Sequence, residues 1–109
     1  MIYELSCGYG KEMPLGFKIW LFTKTAIKLE RDDYGVYELF DSSYNILYIG
    51  YGKVYSSLLK HFADGTHVIA GAHNFSMEYT WTEEKSKKRY NEEIAKYYEK
   101  YGKYPTFNQ

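Results

Sequence analysis

Tyr37 and Tyr48 stand in two short triplets, Gly35-Val36-Tyr37 and Tyr48-Ile49-Gly50, with ten residues between the tyrosines. A tyrosine packs its ring and keeps a polar tip, so the two suit a site lining or the inside of a hairpin equally. His61 follows, and Ser57 lies four residues before it; on a helix the two would share a face. Asn108 ends the last aromatic stretch, either at a site or bonding backbone. Lys85, Lys87, Lys88 and Arg89 are the basic cluster of the chain. Such a cluster can contact a phosphate backbone, or form a solvated helix face balanced by Glu83 and Glu84. Glu92 and Glu93 form an acidic pair, and carboxylate oxygen is what a hard divalent cation prefers. His67 and His73 flank a small-residue loop with no cysteine or acidic partner at ligand spacing, which argues against a metal there.

Regular elements must hold these residues in place. Residues 35–41 alternate Val36, Glu38 and Phe40 against Tyr37 and Leu39, the pattern of a strand buried on both sides. Ser42-Ser43-Tyr44-Asn45 is turn chemistry. Residues 46–51 read as a second strand, so the pair is an antiparallel hairpin. Residues 53–63 read as a helix with Val54, Leu58 and Phe62 in one apolar stripe, stopped by Asp64-Gly65. Residues 74–80 alternate again as a third strand. The last helix, 82–101, is capped by Thr80 or Thr82. Its Tyr90, Ile94, Tyr97, Tyr98 and Tyr101 form one expected buried stripe. Gly102 stops it, and Pro105 prevents resumption. The tail is expected to fold back on the sheet to bury Phe107. Upstream, Gly8, Gly10, Pro14 and Gly16 break residues 1–17 into loop. Residues 2–6 read as a short edge strand and 17–22 as an apolar strand. A short helix begins at Thr23 or Thr25 and ends near Glu30.

Composition limits the function classes. With 109 residues the chain has room for one small domain and a modest core. An apolar fraction of 45% and an aromatic fraction of 20% exclude a disordered chain. Fourteen basic residues balance 14 acidic ones, so the net charge is zero. That argues against tight non-specific DNA binding and leaves room for a local basic face. Cys7 is the single cysteine, which rules out an intrachain disulfide and a thiolate zinc cluster. The longest apolar run, about 19–22, is far too short to span a bilayer. No signal-peptide pattern opens the chain. A soluble cytoplasmic protein with no membrane partner is the expectation.

The two triplets, the stretch Leu58-Leu59-Lys60-His61-Phe62 and the closing Tyr101-Gly102-Lys103-Tyr104-Pro105-Thr106-Phe107-Asn108, in that order, resemble the GIY-YIG nuclease family. The resemblance runs from Tyr34 to Asn108. It implies phosphodiester cleavage, which needs a deprotonated water, neutralised charge at phosphorus and a stabilised leaving oxygen. In that family the two motif tyrosines lie at the site. An arginine on the following helix supports the phosphate, and a glutamate on the later helix holds a divalent metal. Some members add a histidine one turn past the arginine, and an asparagine near the C-terminal end. Tyr37, Tyr48, His61 and Asn108 match these positions. Ser57 stands where the arginine belongs and offers no fixed cationic fork. Tyr90 stands where the glutamate belongs and is a poor ligand for Mg²⁺.

The expected fold is therefore α/β in an α+β layout: a GIY-YIG-like, three-stranded, mainly antiparallel sheet flanked by helices. Residues 34–109 would be the core and 1–33 an N-terminal extension of one domain. The expected function is binding of DNA or RNA, through Lys85, Lys88 and Arg89, with cleavage lost or weakened and no cofactor. Two alternatives stand beside it. An active endonuclease would use Mg²⁺ or Mn²⁺, with Glu93 as its metal ligand. An interaction module, such as a homodimer through exposed tyrosines, would bind no nucleic acid and suits the neutral charge.

Overall fold

Val36, Tyr37, Glu38, Leu39 and Phe40 are all buried, as their alternation requires of a strand covered on both faces. A computed structural model describes Ile2–Glu4, Leu15 and residues 18–109. The elements are β1 (Ile2–Glu4), β2 (Lys18–Leu21), α1 (Lys24–Ile27), β3 (Tyr34–Phe40), β4 (Ile46–Lys53), α2 (Val54–Leu59), β5 (Asn74–Tyr79), α3 (Glu83–Tyr101) and a closing 3-10 turn, Thr106–Asn108. The expected glycine-broken loop (Gly8, Gly10, Pro14, Gly16) lies outside the described residues. So do positions 5, 6 and 17 of the two expected N-terminal strands.

The architecture is a small α+β domain. Four antiparallel strands, β2-β5-β3-β4 in spatial order, form the sheet, and β1 pairs with the outer edge of β2. The three-stranded expectation is corrected here. The hairpin signal of β3 and β4 is local, but β2 reaches β5 across the chain, with Trp20 opposite Phe75 and Leu21 opposite Asn74. That pairing covers an edge of β5 that would otherwise expose unpaired N–H and C=O groups beside buried Phe75.

Each sheet face has its own core. On one face, Tyr37, Leu39 and Phe75 pack with Ile27, Val54, Leu58 and Ile69 under α1 and α2. On the other, Leu15, Val36 and Ile49 meet Tyr51, Tyr90, Ile94 and Tyr97 under α3. Thr82 caps α3, its hydroxyl accepting from the Lys85 N–H, and Gly102 ends it at φ 71°. The inward face of α3 carries Ser86, Tyr90, Glu93, Ile94 and Tyr97, whereas Tyr98 and Tyr101 are exposed. The expected tyrosine stripe is therefore right only in part: Tyr98 and Tyr101 lie in the last turn of α3 and are exposed there. Helix α2 also ends sooner than expected. Lys60 is its C-cap, and the chain then folds back so that His67 N–H donates to the Lys60 carbonyl and Ile69 N–H to the His61 carbonyl. Among the described residues no helix is long and apolar enough to cross a membrane.

Candidate functional site

Register brings the two motif tyrosines together. Tyr37 lies opposite Gly50, and Leu39 opposite Tyr48, so Tyr37 and Tyr48 sit diagonally on the face under α2. Their ring centroids are 6.2 Å apart. The Tyr37 ring lies directly across Gly50. A Cβ there would come within 2.5 Å of the Tyr37 Cζ and Oη and 2.8 Å of the Tyr48 Cε2. Close approach is thus the role of Gly50. The turn into α2 falls to Gly52, whose φ of 139° favours glycine and which faces the Ser57 hydroxyl.

A chain of hydrogen bonds fixes the centre. The His61 Nδ1 lies 2.7 Å from the His67 carbonyl, which can only accept, so Nδ1 carries the hydrogen. A neutral ring then leaves Nε2 as an acceptor, and the Tyr37 hydroxyl, 2.7 Å away, donates to it. With that hydrogen committed, the Ser57 hydroxyl can only donate to the Tyr37 oxygen, and its hydrogen bond holds the phenol pKa down slightly against the larger effects. Burial, followed by the nearby Tyr48, pushes the Tyr37 phenol far above its ordinary range. Burial lowers the His61 pKa, opposed by its bond to the His67 carbonyl. Both groups are therefore neutral at neutral pH. Tyr37 is 2% and His61 3% exposed, so solvent scarcely reaches either. His61 sits just past the C-cap of α2, off the helix on which the sequence places it. It still reaches Tyr37, because the returning segment through His67 holds its ring.

Asn108 and Tyr90 close the outer edge. The Asn108 side chain accepts from the Ile49 N–H at 2.8 Å and donates to the Ile49 carbonyl at 2.9 Å. One side chain thus imitates a neighbouring strand along the free edge of β4. Asn108 also hydrogen-bonds the Tyr90 hydroxyl, partly offsetting the burial that raises the Tyr90 pKa. The Tyr90 ring packs on Tyr51 at 5.0 Å. Its hydroxyl is close enough for an ionised Tyr90 to raise the pKa of both Tyr48 and Tyr37. The structure thus gathers Tyr37, Tyr48, Ser57, His61, Tyr90 and Asn108 into one neighbourhood.

Arg89 and Glu93 behave differently. Unlike the exposed Glu92 beside it, Glu93 is buried. Its carboxylate lies 2.6 Å from the Arg89 guanidinium and 3.5 Å from the Lys96 ammonium. Arg89 also meets Glu78 at 3.2 Å and Glu92 at 3.6 Å. Three carboxylates therefore occupy Arg89, while Lys85 and Lys88 stay exposed. A divalent metal fits poorly. The Glu93 carboxylate is already neutralised by two cations, and the groups around Tyr37 are hydroxyls, an imidazole and an amide, where Mg²⁺ wants carboxylates. Among the described residues no group of three or more His, Cys, Asp or Glu is placed to hold a metal.

Sequence reasoning missed His67, whose contribution is a backbone carbonyl and leaves no side-chain signal. It also missed buried Glu38, whose carboxylate accepts from the Leu15 N–H at 3.1 Å and the Ser76 hydroxyl at 2.9 Å. That residue was findable, since it shares the alternation of Val36 and Phe40.

A family model described as a domain of unknown function, DUF7508, matches residues 13–100. The chain belongs to that family. No curated protein and no solved structure matches it.

Proposed function

We propose that this DUF7508 member is a GIY-YIG-like domain that binds nucleic acid without cutting it. The observation that carries this reading is the hydrogen bond from the buried Tyr37 hydroxyl to His61. Hydrolysis of a phosphodiester needs a cation or metal facing the phosphate and a group free to take a proton from water. Here Tyr37 gives its hydrogen to His61, and Ser57 supplies a neutral hydroxyl where a guanidinium would be needed. Tyr90 supplies a phenol where a metal ligand would be needed. Exposed Lys85 and Lys88 support the binding half of the reading.

The test has two arms. With Mg²⁺ or Mn²⁺, purified protein is expected to leave single- and double-stranded DNA and RNA intact above background. Cleavage that disappears in Tyr37→Phe overturns the non-cleaving half. A gel shift that weakens with salt is expected at low ionic strength, and its absence with every nucleic acid overturns the binding half.

A second reading has its own observation. Tyr98, Tyr101 and Tyr104 are exposed at the C-terminal end of α3, with Tyr98 and Tyr104 packed at 4.9 Å. Self-association through this aromatic end is checked by light scattering on the wild type and on Tyr98→Ser/Tyr101→Ser. A mass equal to one chain at all concentrations excludes it.

A further inference from the structure

Trp81 is more exposed than any other aromatic residue described, at 59%, and its φ is 72°. A bulky side chain is strained in that region, and strain of this kind collects at functional positions. The turn itself explains the backbone only. Thr80 and Trp81 N–H both donate to the Tyr34 carbonyl, at 2.9 and 3.0 Å, before Thr82 caps α3. Glycine would make the same turn without strain.

The side chain is held in place as well as exposed. Its ring stacks on Tyr79, with centroids 5.2 Å apart and planes 21° from parallel. The Arg31 guanidinium lies 5.5 Å from the ring centre. Tyr79 is anchored in turn: its hydroxyl donates to the Glu30 carboxylate at 2.8 Å and accepts from the Arg31 N–H at 2.6 Å. Beside this ring runs a groove of about 410 Å³, lined in part by Glu78, Trp81, Lys85, Lys88, Arg89 and Glu92. Its carboxylates are engaged, since Glu78 and Glu92 both lie against Arg89. Lys85 and Lys88 have no ion-pair partner among the described residues. The groove therefore presents an anchored, largely exposed indole beside two ammonium groups with no ion-pair partner among the described residues.

We infer that this groove binds single-stranded nucleic acid, with an unpaired base stacked on Trp81 and adjacent phosphates along Lys85 and Lys88. The inference rests on the nucleic-acid reading above and names the surface that performs it. An unpaired base offers its π-face, which a duplex hides inside the stack. Two lysines beside the ring complement the phosphates that flank such a base.

The experiment is a titration of intrinsic tryptophan fluorescence with oligothymidine, oligouridine and a duplex at low salt. Trp20, the other tryptophan, packs against the core under α1 and α2, so Trp81→Phe identifies the responding ring. Expected is quenching by the single strands and little by the duplex. Read by gel shift of a labelled oligonucleotide, because these variants lack the reporting ring, Trp81→Ala should weaken binding about tenfold, and Trp81→Phe should restore much of it. Lys85→Gln and Lys88→Gln should each flatten the plot of log affinity against log salt by about 0.7. The preference between oligothymidine and oligouridine tells DNA from RNA. Wild-type affinity retained in Trp81→Ala overturns this inference and leaves the nucleic-acid reading standing. Equal quenching by the duplex overturns it in the same way. No binding of any nucleic acid to the wild type overturns both together. A shift in Trp81 emission with protein concentration alone overturns it too, making a second copy of the chain the occupant.

Discussion

At Gly50 a missing Cβ decides where a catalytic-looking tyrosine sits. Any side chain there meets the Tyr37 ring and hydroxyl at 2.5 Å. Gly50→Ala is therefore expected to destabilise the fold by about 1–3 kcal/mol, the usual cost of overpacking. Urea denaturation checks this, and an unchanged midpoint contradicts it. The neighbouring His61 sets a pH dependence. Its pKa in the fold lies below the ordinary 6.5, with burial as the main cause. The folded chain thus binds fewer protons there than the unfolded chain. The stabilising contribution is complete above pH 6.5 and is lost as pH falls through the folded value. Asp32 and Asp64 have pKa values below the ordinary 3.8 and so act in a more acidic window. Wild-type urea midpoints should fall between neutral pH and moderate acid, and His61→Gln should show a flatter profile. At this scale much was legible: the triplets, Ser57, His61, Tyr90 and Asn108 all meet. What was not legible was the partner of His61, a backbone carbonyl brought in by a returning loop. Glu93 was legible in principle. Arg89 lies four residues before it, the spacing of a helical ion pair.

Elements carry the next level of constraint. β4 ends the sheet, and Asn108 pairs its free edge through Ile49. Asn108→Ala leaves those two backbone groups without their partner and should cost about 1–3 kcal/mol. Hydrogen exchange at the Ile49 amide should accelerate with it; unchanged protection contradicts the edge role. At the start of α3, Thr82→Ala should cost about 1 kcal/mol, since it removes the bond accepted from Lys85 N–H. Thr80→Ala lacks that effect, which separates the two candidate caps. Strands β3, β4 and β5 announced themselves by alternation and turn residues. The pairing of β2 with β5 did not, because it joins segments more than fifty residues apart in the chain. α2 looked longer in sequence because Phe62 continues its stripe. In the fold Phe62 leaves the helix and stacks on Phe22 at 4.2 Å instead.

For the whole molecule, two separate places stand out. Under α2 lies a closed, neutral network of Ser57, Tyr37 and His61. Beyond β5, at the entry to α3, lies an open face with Trp81, Lys85 and Lys88. A zero net charge is compatible with the proposed binding through one local patch instead of a broad basic field. Whether the Tyr37 hydroxyl is committed to His61 decides between a silent site and one free for chemistry. Nitrogen-15 NMR of the His61 ring at neutral pH, with and without Mg²⁺, measures this directly. A hydrogen on Nδ1, a bare Nε2 accepting from Tyr37, and no change with the metal are the expected result. A hydrogen on Nε2, or a ring signal that moves when Mg²⁺ is added, would free the Tyr37 hydroxyl for chemistry and contradict the account.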